Sequence, residues 1–280
     1  MTEGAGTLYL CATPIGNLGD MTPRAVEILQ QADIIAAEDT RHTRQLLTHF
    51  AIHGKLLSYH EHNKQLQGKE LIKALLAGQN IALVSDAGFP GIADPGELLV
   101  KEAIAAAIKV VPVPGANAAL TALVASGLPS VTFFFGGFLP KSRKNRREKL
   151  QEWQNIPSTI VLYEAPHRIK EVLADILTAW GDRPLVLARE LTKLHEEFFR
   201  GTVSTGLEFL QAKEPRGEFV LVLGAGEPHK AEPALEPLAK VRMLMAQGSQ
   251  KKEALAAVAK EYKIPKRELY NRLLCEERDR

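Results

Sequence analysis

Apolar positions in the first part of the chain come in short runs separated by amphipathic stretches. Thr7–Thr13 (TLYLCAT) reads as a buried strand. Thr22-Pro23 then supplies an N-cap and a first-turn proline, and Ala25, Ile28, Leu29 and Ala32 follow at helical spacing. The alternation continues with a strand over Ile34–Ala37, a helix over Thr40–Phe50 and a short strand over Lys55–Ser58. A helix over Gly68–Ala77 ends at Gly78, a strand covers Asn80–Ser85, a helix Glu97–Ala107 and a strand Lys109–Val113. This βαβα rhythm predicts a mostly parallel sheet with helices on both faces.

Further along, the texture changes. Thr132–Phe135 and Thr159–Tyr163 read as strands, and Ile169, Val172, Leu173, Ile176, Leu177 and Trp180 form a helical apolar stripe. Leu185–Ala188, Phe198–Val203 and Phe219–Leu223 read as strands with less helix between them, which predicts a second, mixed sheet. The helix Asn117–Ala125 is expected to bridge the lobes, with the boundary near Val113–Gly115. A polar, proline-bearing linker follows over residues 226–233. Beyond it only helical patterns occur: Leu235–Gln247, Lys251–Tyr262 and Lys266–Glu277. The expected organisation is an α/β lobe over 1–114, a second over 115–226 and a helical domain over 235–280. Its last two helices fit either a helix-turn-helix or a plain helical cap.

Composition narrows the class. Hydrophobic residues make up 45% and charged residues 24%, enough apolar content for a real core. The net charge of +2 gives no global field for nucleic acid, so any basic surface must be local. The two cysteines, Cys11 and Cys275, form no CxxC and suit a reducing cytoplasm. No apolar run approaches the roughly 18 residues a membrane span needs, and MTEGAGTLYL lacks a signal-peptide pattern. The expectation is a cytoplasmic protein with no membrane partner.

Three strand exits are rich in Gly and Pro: Ala12-Thr-Pro-Ile-Gly-Asn-Leu-Gly, Ser85-Asp-Ala-Gly-Phe-Pro-Gly-Ile-Ala-Asp-Pro-Gly and Val113-Pro-Gly-Ala-Asn-Ala-Ala. Ordinary turn chemistry accounts for any one of them. Three at strand ends of one lobe point to a ligand cleft, because open α/β sheets bind ligands there. None is GxGxxG or a Walker A loop, which argues against dinucleotides and triphosphates.

The blocks TPIGNLGD, AAEDTRHTRQLL, SYHEHN, LVSDAG, PVPGANAALTALVASGLP, GFLP, LYEAPHR and ARELTKLHEE stand in order along the chain. Together they resemble the bacterial 16S rRNA 2′-O-ribose methyltransferases of the tetrapyrrole-methylase superfamily, from about Gly6 to Gly226. The resemblance implies two αβα lobes of the tetrapyrrole-methylase type with S-adenosylmethionine in the cleft between them. It implies a homodimer acting on a decoding-centre cytidine of 16S rRNA in the small ribosomal subunit. It places Pro14, Ser85, Asp86, Ala87, Pro90, Asn117, Ala118, Glu164 and Leu191 at the cofactor, with Gly217–Val220 along the adenine. The family reads SDAGTP and then a bulky apolar residue, whereas this chain has Phe89 and Gly91 there. The ring of Phe89 either reshapes the pocket or points into the core.

A ribose hydroxyl is a poor nucleophile at neutral pH, so a general base would assist its attack. Lys193, Glu61 and His60 lead the candidates, with Glu38, Asp39 and His195 beside them; transfer without a base is the remaining alternative. His60 and His62 have no third ligand in the sequence pattern, so no metal is expected. Lys141–Lys149 carries six basic residues against one acid, and Arg41, His42 and Arg44 form a second cluster. Such runs are usually solvated helix faces. Next to the family's cleft, Arg41, Arg44, Lys141, Arg143, Lys144, Arg146 and Arg147 are expected to meet RNA phosphates. Two rivals are a tetrapyrrole or precorrin carbon methyltransferase on the same fold, which needs no basic clusters, and a non-catalytic ribosome-assembly factor.

Overall fold

A computed structural model describes residues 4–212, 214–226, 236–262 and 264–278. The chain up to Gly226 forms one compact unit and the residues after it a second. The first lobe runs β1 (Thr7–Cys11), α1 (Pro23–Gln31), β2 (Ile34–Ala37), α2 (Thr40–His49), β3 (Lys55–Ser58), α3 (Lys64–Leu76), β4 (Ile81–Val84), α4 (Glu97–Ala105) and β5 (Lys109–Val113). Its sheet has the order β3-β2-β4-β1-β5, and every pairing is parallel. Alternation along the strands divides the core in two. Cys11, Ile35, Ala37, Ala82 and Val84 pack against Ala25, Leu29 and Leu47 of α1 and α2. Leu8, Ile34, Ala36, Ile81 and Leu83 pack against Leu71, Leu75, Leu99 and Ala103 of α3 and α4.

The second lobe runs α5 (Ala118–Ser126), β6 (Phe133–Phe138), α6 (Arg143–Trp153), β7 (Thr159–Glu164), α7 (Ile169–Trp180), β8 (Pro184–Arg189), β9 (Glu197–Thr202), α8 (Val203–Gln211) and β10 (Phe219–Leu223). Its order is β6-β7-β10-β8-β9, with β6-β7 parallel and the rest antiparallel, a mixed sheet as the pattern predicts. One face carries α6, α7 and α8 over a core that includes Leu150, Leu173, Ile176 and Leu210. The other carries α5, whose Ala119, Ala122 and Leu123 pack on Val161, Val186 and Val220 together with Ile15 from the first lobe. The helix expected to bridge the lobes is thus a layer of the second sheet, and Ile15 reaches across to it.

Two elements differ from the sequence pattern. α3 begins at Lys64 rather than Gly68, because the Asn63 side chain accepts from the His60 amide and donates to the Ser58 carbonyl, turning the chain into the helix early. α8, unmarked in the apolar pattern, opens on a reciprocal capping box between Thr202 and Thr205. Its Gly206 lies so close to the sheet that a Cβ would stand 2.6 Å from Leu185 Cδ2.

The second unit consists of α9 (Pro237–Ala246), α10 (Lys251–Tyr262) and α11 (Lys266–Arg278). Leu238, Val241, Leu255, Val258, Leu269 and Leu273 form its own core. The expected linker beyond Gly226 and the expected helix start at Leu235 lie outside the described residues. Among the described residues no helix is long and apolar enough to cross a membrane.

Candidate active site

The strands β4, β1 and β5 are neighbours in the first sheet, so the three Gly/Pro-rich loops leave it side by side at the carboxyl edge. They are stitched together. The Thr13 amide donates to the Gly88 carbonyl at 2.9 Å and the Gly88 amide returns to the Thr13 carbonyl at 3.1 Å. Thr13 Oγ1 donates to the Ser85 carbonyl at 3.1 Å, and Ser85 Oγ to the Gly88 carbonyl at 3.1 Å. Gly115 brings the third loop against the first strand's exit; a Cβ there would stand 2.9 Å from Ala12 Cβ.

The opposite wall is the matching edge of the second sheet. Antiparallel pairing sets Phe219 of β10 beside both Glu164 of β7 and Arg189 of β8, so one strand's start lies between two strands' ends. Between the walls lies a cleft of about 410 Å³, within the range of small-molecule sites. Ile15, Phe89, Ile92, Tyr163, Leu191 and Val220 give it apolar surface, and Glu38, Asp86, Asp94 and Glu164 bring carboxyl groups. Glu164 is 2% exposed. One of its oxygens accepts from the Ala165 amide at 2.8 Å, and the other has no hydrogen bond, facing Arg168 at 3.5 Å. Burial raises the pKa of Glu164.

Glu38 and Asp94 both line the cleft, and the charge of Glu38 disfavours ionisation of Asp94. Burial pushes Asp94 up to about 7, helped by the charges of Glu38 and Asp86. Glu38 is raised by burial and by Asp86, with His60 opposing. Asp86 also accepts from the Asp39 amide at 3.0 Å, which ties the second loop to the start of α2. Asp94 follows Ala93, held at φ 64 in the left-handed region, a backbone state that costs an alanine free energy and persists only where neighbours enforce it. Sequence reasoning missed Asp94. Its position in the loop after β4 was the available signal.

Of the residues expected at the cofactor, Asp86, Ala87, Asn117, Ala118, Glu164 and Leu191 line the cleft, as do Glu218, Phe219 and Val220. Pro14, Ser85 and Pro90 do not; Ser85 and Pro90 are buried behind the loop they shape. Phe89 lines the cleft rather than pointing into the core. Asn117 also caps α5, accepting from the Leu120 amide at 2.9 Å.

The leading base candidates each contact neighbouring side chains. Lys193 Nζ lies 2.9 Å from both Glu190 and Glu218. Burial opposes its charge, but the two carboxylates prevail and hold its pKa above the ordinary lysine value. Its stem covers Gly16 of the first loop, where a Cβ would stand 2.5 Å from Lys193 Cγ. Glu61 is exposed, pairs with Lys64 at 2.6 Å and lies outside the cleft lining. His60 also lies outside that lining, packed edge-on to His62 with its Nδ1 buried and unpartnered. Among the described residues no group of three or more His, Cys, Asp and Glu could hold a metal ion.

The basic segment on α6 divides as well. Lys141, Arg143, Lys144 and Arg147 are exposed, but Arg146 is 1% exposed. Its guanidinium bonds Asp175 at 2.7 Å and Glu171 at 2.6 Å, locking α6 to α7, so it offers nothing to an external phosphate. Arg143 and Arg147 also reach Asp175, at 3.4 and 3.0 Å. Arg41 and Arg44 are exposed on α2, with Arg41 paired to Asp39 at 2.7 Å.

The family profile of tetrapyrrole (corrin/porphyrin) methylases matches residues 7–205. A ribosomal RNA small subunit methyltransferase I from Halalkalibacterium halodurans is 51% identical over 275 residues, covering 96% of this chain and 95% of the relative. The protein of the same name from Bacillus subtilis is 45% identical, covering 95% and 93%. Uroporphyrin-III C-methyl transferase from Thermus thermophilus, in its complex with S-adenyl homocysteine, shares the fold with a TM-score of 0.54 at 19% identity, covering 78% of this chain and 97% of that one. The paired lobes, the three stitched loops and these matches agree: the chain belongs to the tetrapyrrole (corrin/porphyrin) methylase family, in the group of the ribosomal RNA small subunit methyltransferase I relatives.

Proposed function

We propose that the chain catalyses S-adenosylmethionine-dependent 2′-O-methylation of a cytidine ribose in 16S rRNA of the small ribosomal subunit. The observation that carries this reading is the near-full-length likeness to relatives of that name, at 51% identity over 96% of the chain. The cleft fits the cofactor: apolar walls suit the adenine, and a surplus of carboxyl groups suits a cationic sulfonium and ammonium. Asp86, Ala87, Asn117, Ala118 and Leu191, with Glu218–Val220, would hold it. When bound, the cofactor supplies an electrophilic methyl group.

The chain's own tasks are positioning and proton management. Asp94, with Glu38 in the same cleft, is a carboxyl suited to take up the ribose hydroxyl's proton, because burial pushes it up to about 7, near the working pH. Lys193 fixes the loop after β8 against the first loop through its contacts with Glu190, Glu218 and Gly16. Lys141, Arg143, Lys144 and Arg147, with Arg41 and Arg44, provide phosphate contacts that position the substrate. The α10–α11 pair offers a further basic surface, with Lys266 and Arg267 exposed. Leu120 and Val124, exposed one helical turn apart on α5, supply apolar surface for the homodimer.

Transfer of tritiated methyl to small subunits that lack the modification, compared with free 16S rRNA, tests the reading. Label on a cytidine 2′-oxygen supports it. Absence of label from both substrates, with S-adenosylmethionine binding intact, overturns it.

A further inference from the structure

The segment Gly136-Gly137-Phe138-Leu139-Pro140 plays no part in the chemistry above. β6 enters the sheet with Phe134 opposite Ile160 and Phe135 opposite Val161, then slips, so that Gly137 stands opposite Leu162 and Phe138 opposite Tyr163. In a regular strand Phe138 would fall on the face of Phe134, which packs against the core under α6 and α7. The extra residue inverts the alternation and turns Phe138 to the face of Phe135 and the cleft. The two glycines make this possible. A Cβ at Gly136 would stand 2.7 Å from Leu162 and 2.8 Å from the Trp153 ring, and Gly137 sits at φ +61.

The outcome is a phenyl ring that lines the cleft yet stays 55% exposed. It meets Tyr163 edge-on at 5.6 Å and 63°. Beyond it the backbone is clamped, because Arg168 donates to the carbonyls of Leu139 and Pro140 at 3.0 and 3.1 Å. The exposed cations Lys141, Arg143 and Lys144 begin right after Pro140. Ile92, 40% exposed, lines the same cleft from the first lobe.

We propose that Phe138 is the stacking platform for the nucleobase of the target nucleotide, with the cations that follow Pro140 holding the adjoining phosphates. This rests on the RNA-methylating reading. A ribose hydroxyl can enter the cleft only if its nucleotide leaves any helical stack, and an unstacked base then needs a new π partner. Phe138 is a fixed ring at the entrance, and every base has a face to lay on it.

The test compares Phe138→Ala, Phe138→Leu and Phe138→Trp with the unmodified protein, using small subunits lacking the modification. Ala and Leu should raise KM roughly 10- to 100-fold with kcat nearly retained. S-adenosylmethionine affinity by calorimetry should stay unchanged, and Trp should restore KM. Trp153 and Trp180 are buried, so the new indole of Phe138→Trp faces solvent, and oligocytidylate should quench its fluorescence. Equal KM in all variants, or no quenching, overturns the proposal. So does a shift in oligomeric state by sedimentation with KM unchanged, which would assign the ring to a second copy of the chain. If the unmodified protein transfers no methyl to ribosomal substrates, the methylation reading fails, and the quenching experiment still tests the stacking by itself.

Discussion

Asp94 and Glu38 line one cleft, and the charge of Glu38 adds to burial in raising the Asp94 carboxyl. Burial pushes Asp94 up to about 7 and raises Glu38 as well. The groups facing the pair are Asp86, Asp39, His60 and Tyr163. Methyl transfer should therefore rise with pH through about 7, as Asp94 loses its proton. Asp94→Asn should flatten that profile and lower kcat by about 10²- to 10⁴-fold. A profile with the same inflection in Asp94→Asn would remove the pair from the reaction.

The same pair gives a stability prediction of definite sign. Asp94 is raised in the folded chain from 3.8 to about 7, so the unfolded chain releases this proton at lower pH than the folded one. Its contribution is present below the unfolded value and is lost as pH climbs through about 7. Melting temperatures measured from pH 4 to pH 8 should fall less steeply in Asp94→Asn than in the parent.

This feature separates what was legible in the sequence from what was not. The parallel first sheet and the mixed second sheet follow from the spacing of short apolar runs, because burial on both faces leaves that spacing little freedom. The three loops were readable for the same reason: they end neighbouring strands. Glu38 and Asp94 lie far apart in sequence, and only the order β2-β4 brings their strand ends together. The slip in β6 is one residue long, too short to alter an apolar pattern. Arg146 was misplaced for want of phase: Arg146, Leu150 and Trp153 recur at helical spacing and are all buried, so that stripe marked the inner face of α6 despite its charge.

Asp175 should be a stability hot point although it lies away from the cleft lining. Its carboxylate and the Arg146 guanidinium are each 1% exposed and bonded to each other. Asp175→Ala strands a buried cation, at a cost of about 3 kcal/mol, the low end of the usual range, because Glu171 still holds one nitrogen at 2.6 Å. Chemical denaturation should show that loss. Arg146→Met combined with Asp175→Leu should recover most of it.

Gly91 departs from the family pattern and sits at φ +86, and a Cβ there would meet no heavy atom nearer than 3.9 Å. Gly91→Leu, which restores a bulky residue, should then cost about 1–2 kcal/mol from backbone strain alone. Gly91→Asn should cost less, because asparagine tolerates the left-handed region. Equal costs for the two, measured by denaturation, would point to side-chain crowding instead.

Lys141 and Lys144 are exposed on the segment that follows Phe138. Replacing both by Gln should weaken RNA binding at low salt and reduce the log–log salt slope by roughly 0.7–0.9 for each phosphate no longer neutralised. Arg146→Gln should leave that slope unchanged while lowering the melting temperature, since its charge is already satisfied inside the protein. An unchanged slope in the double lysine variant would move the RNA surface elsewhere.

The paired amides of Thr13 and Gly88 have a dynamic consequence. Each shields the other from water, so neither loop can open alone without uncovering both. Their hydrogen exchange should proceed in step, as a single opening unit. A ligand that grips either loop would slow exchange at both amides, making the first strand's exit a reporter for occupancy of the loop after β4.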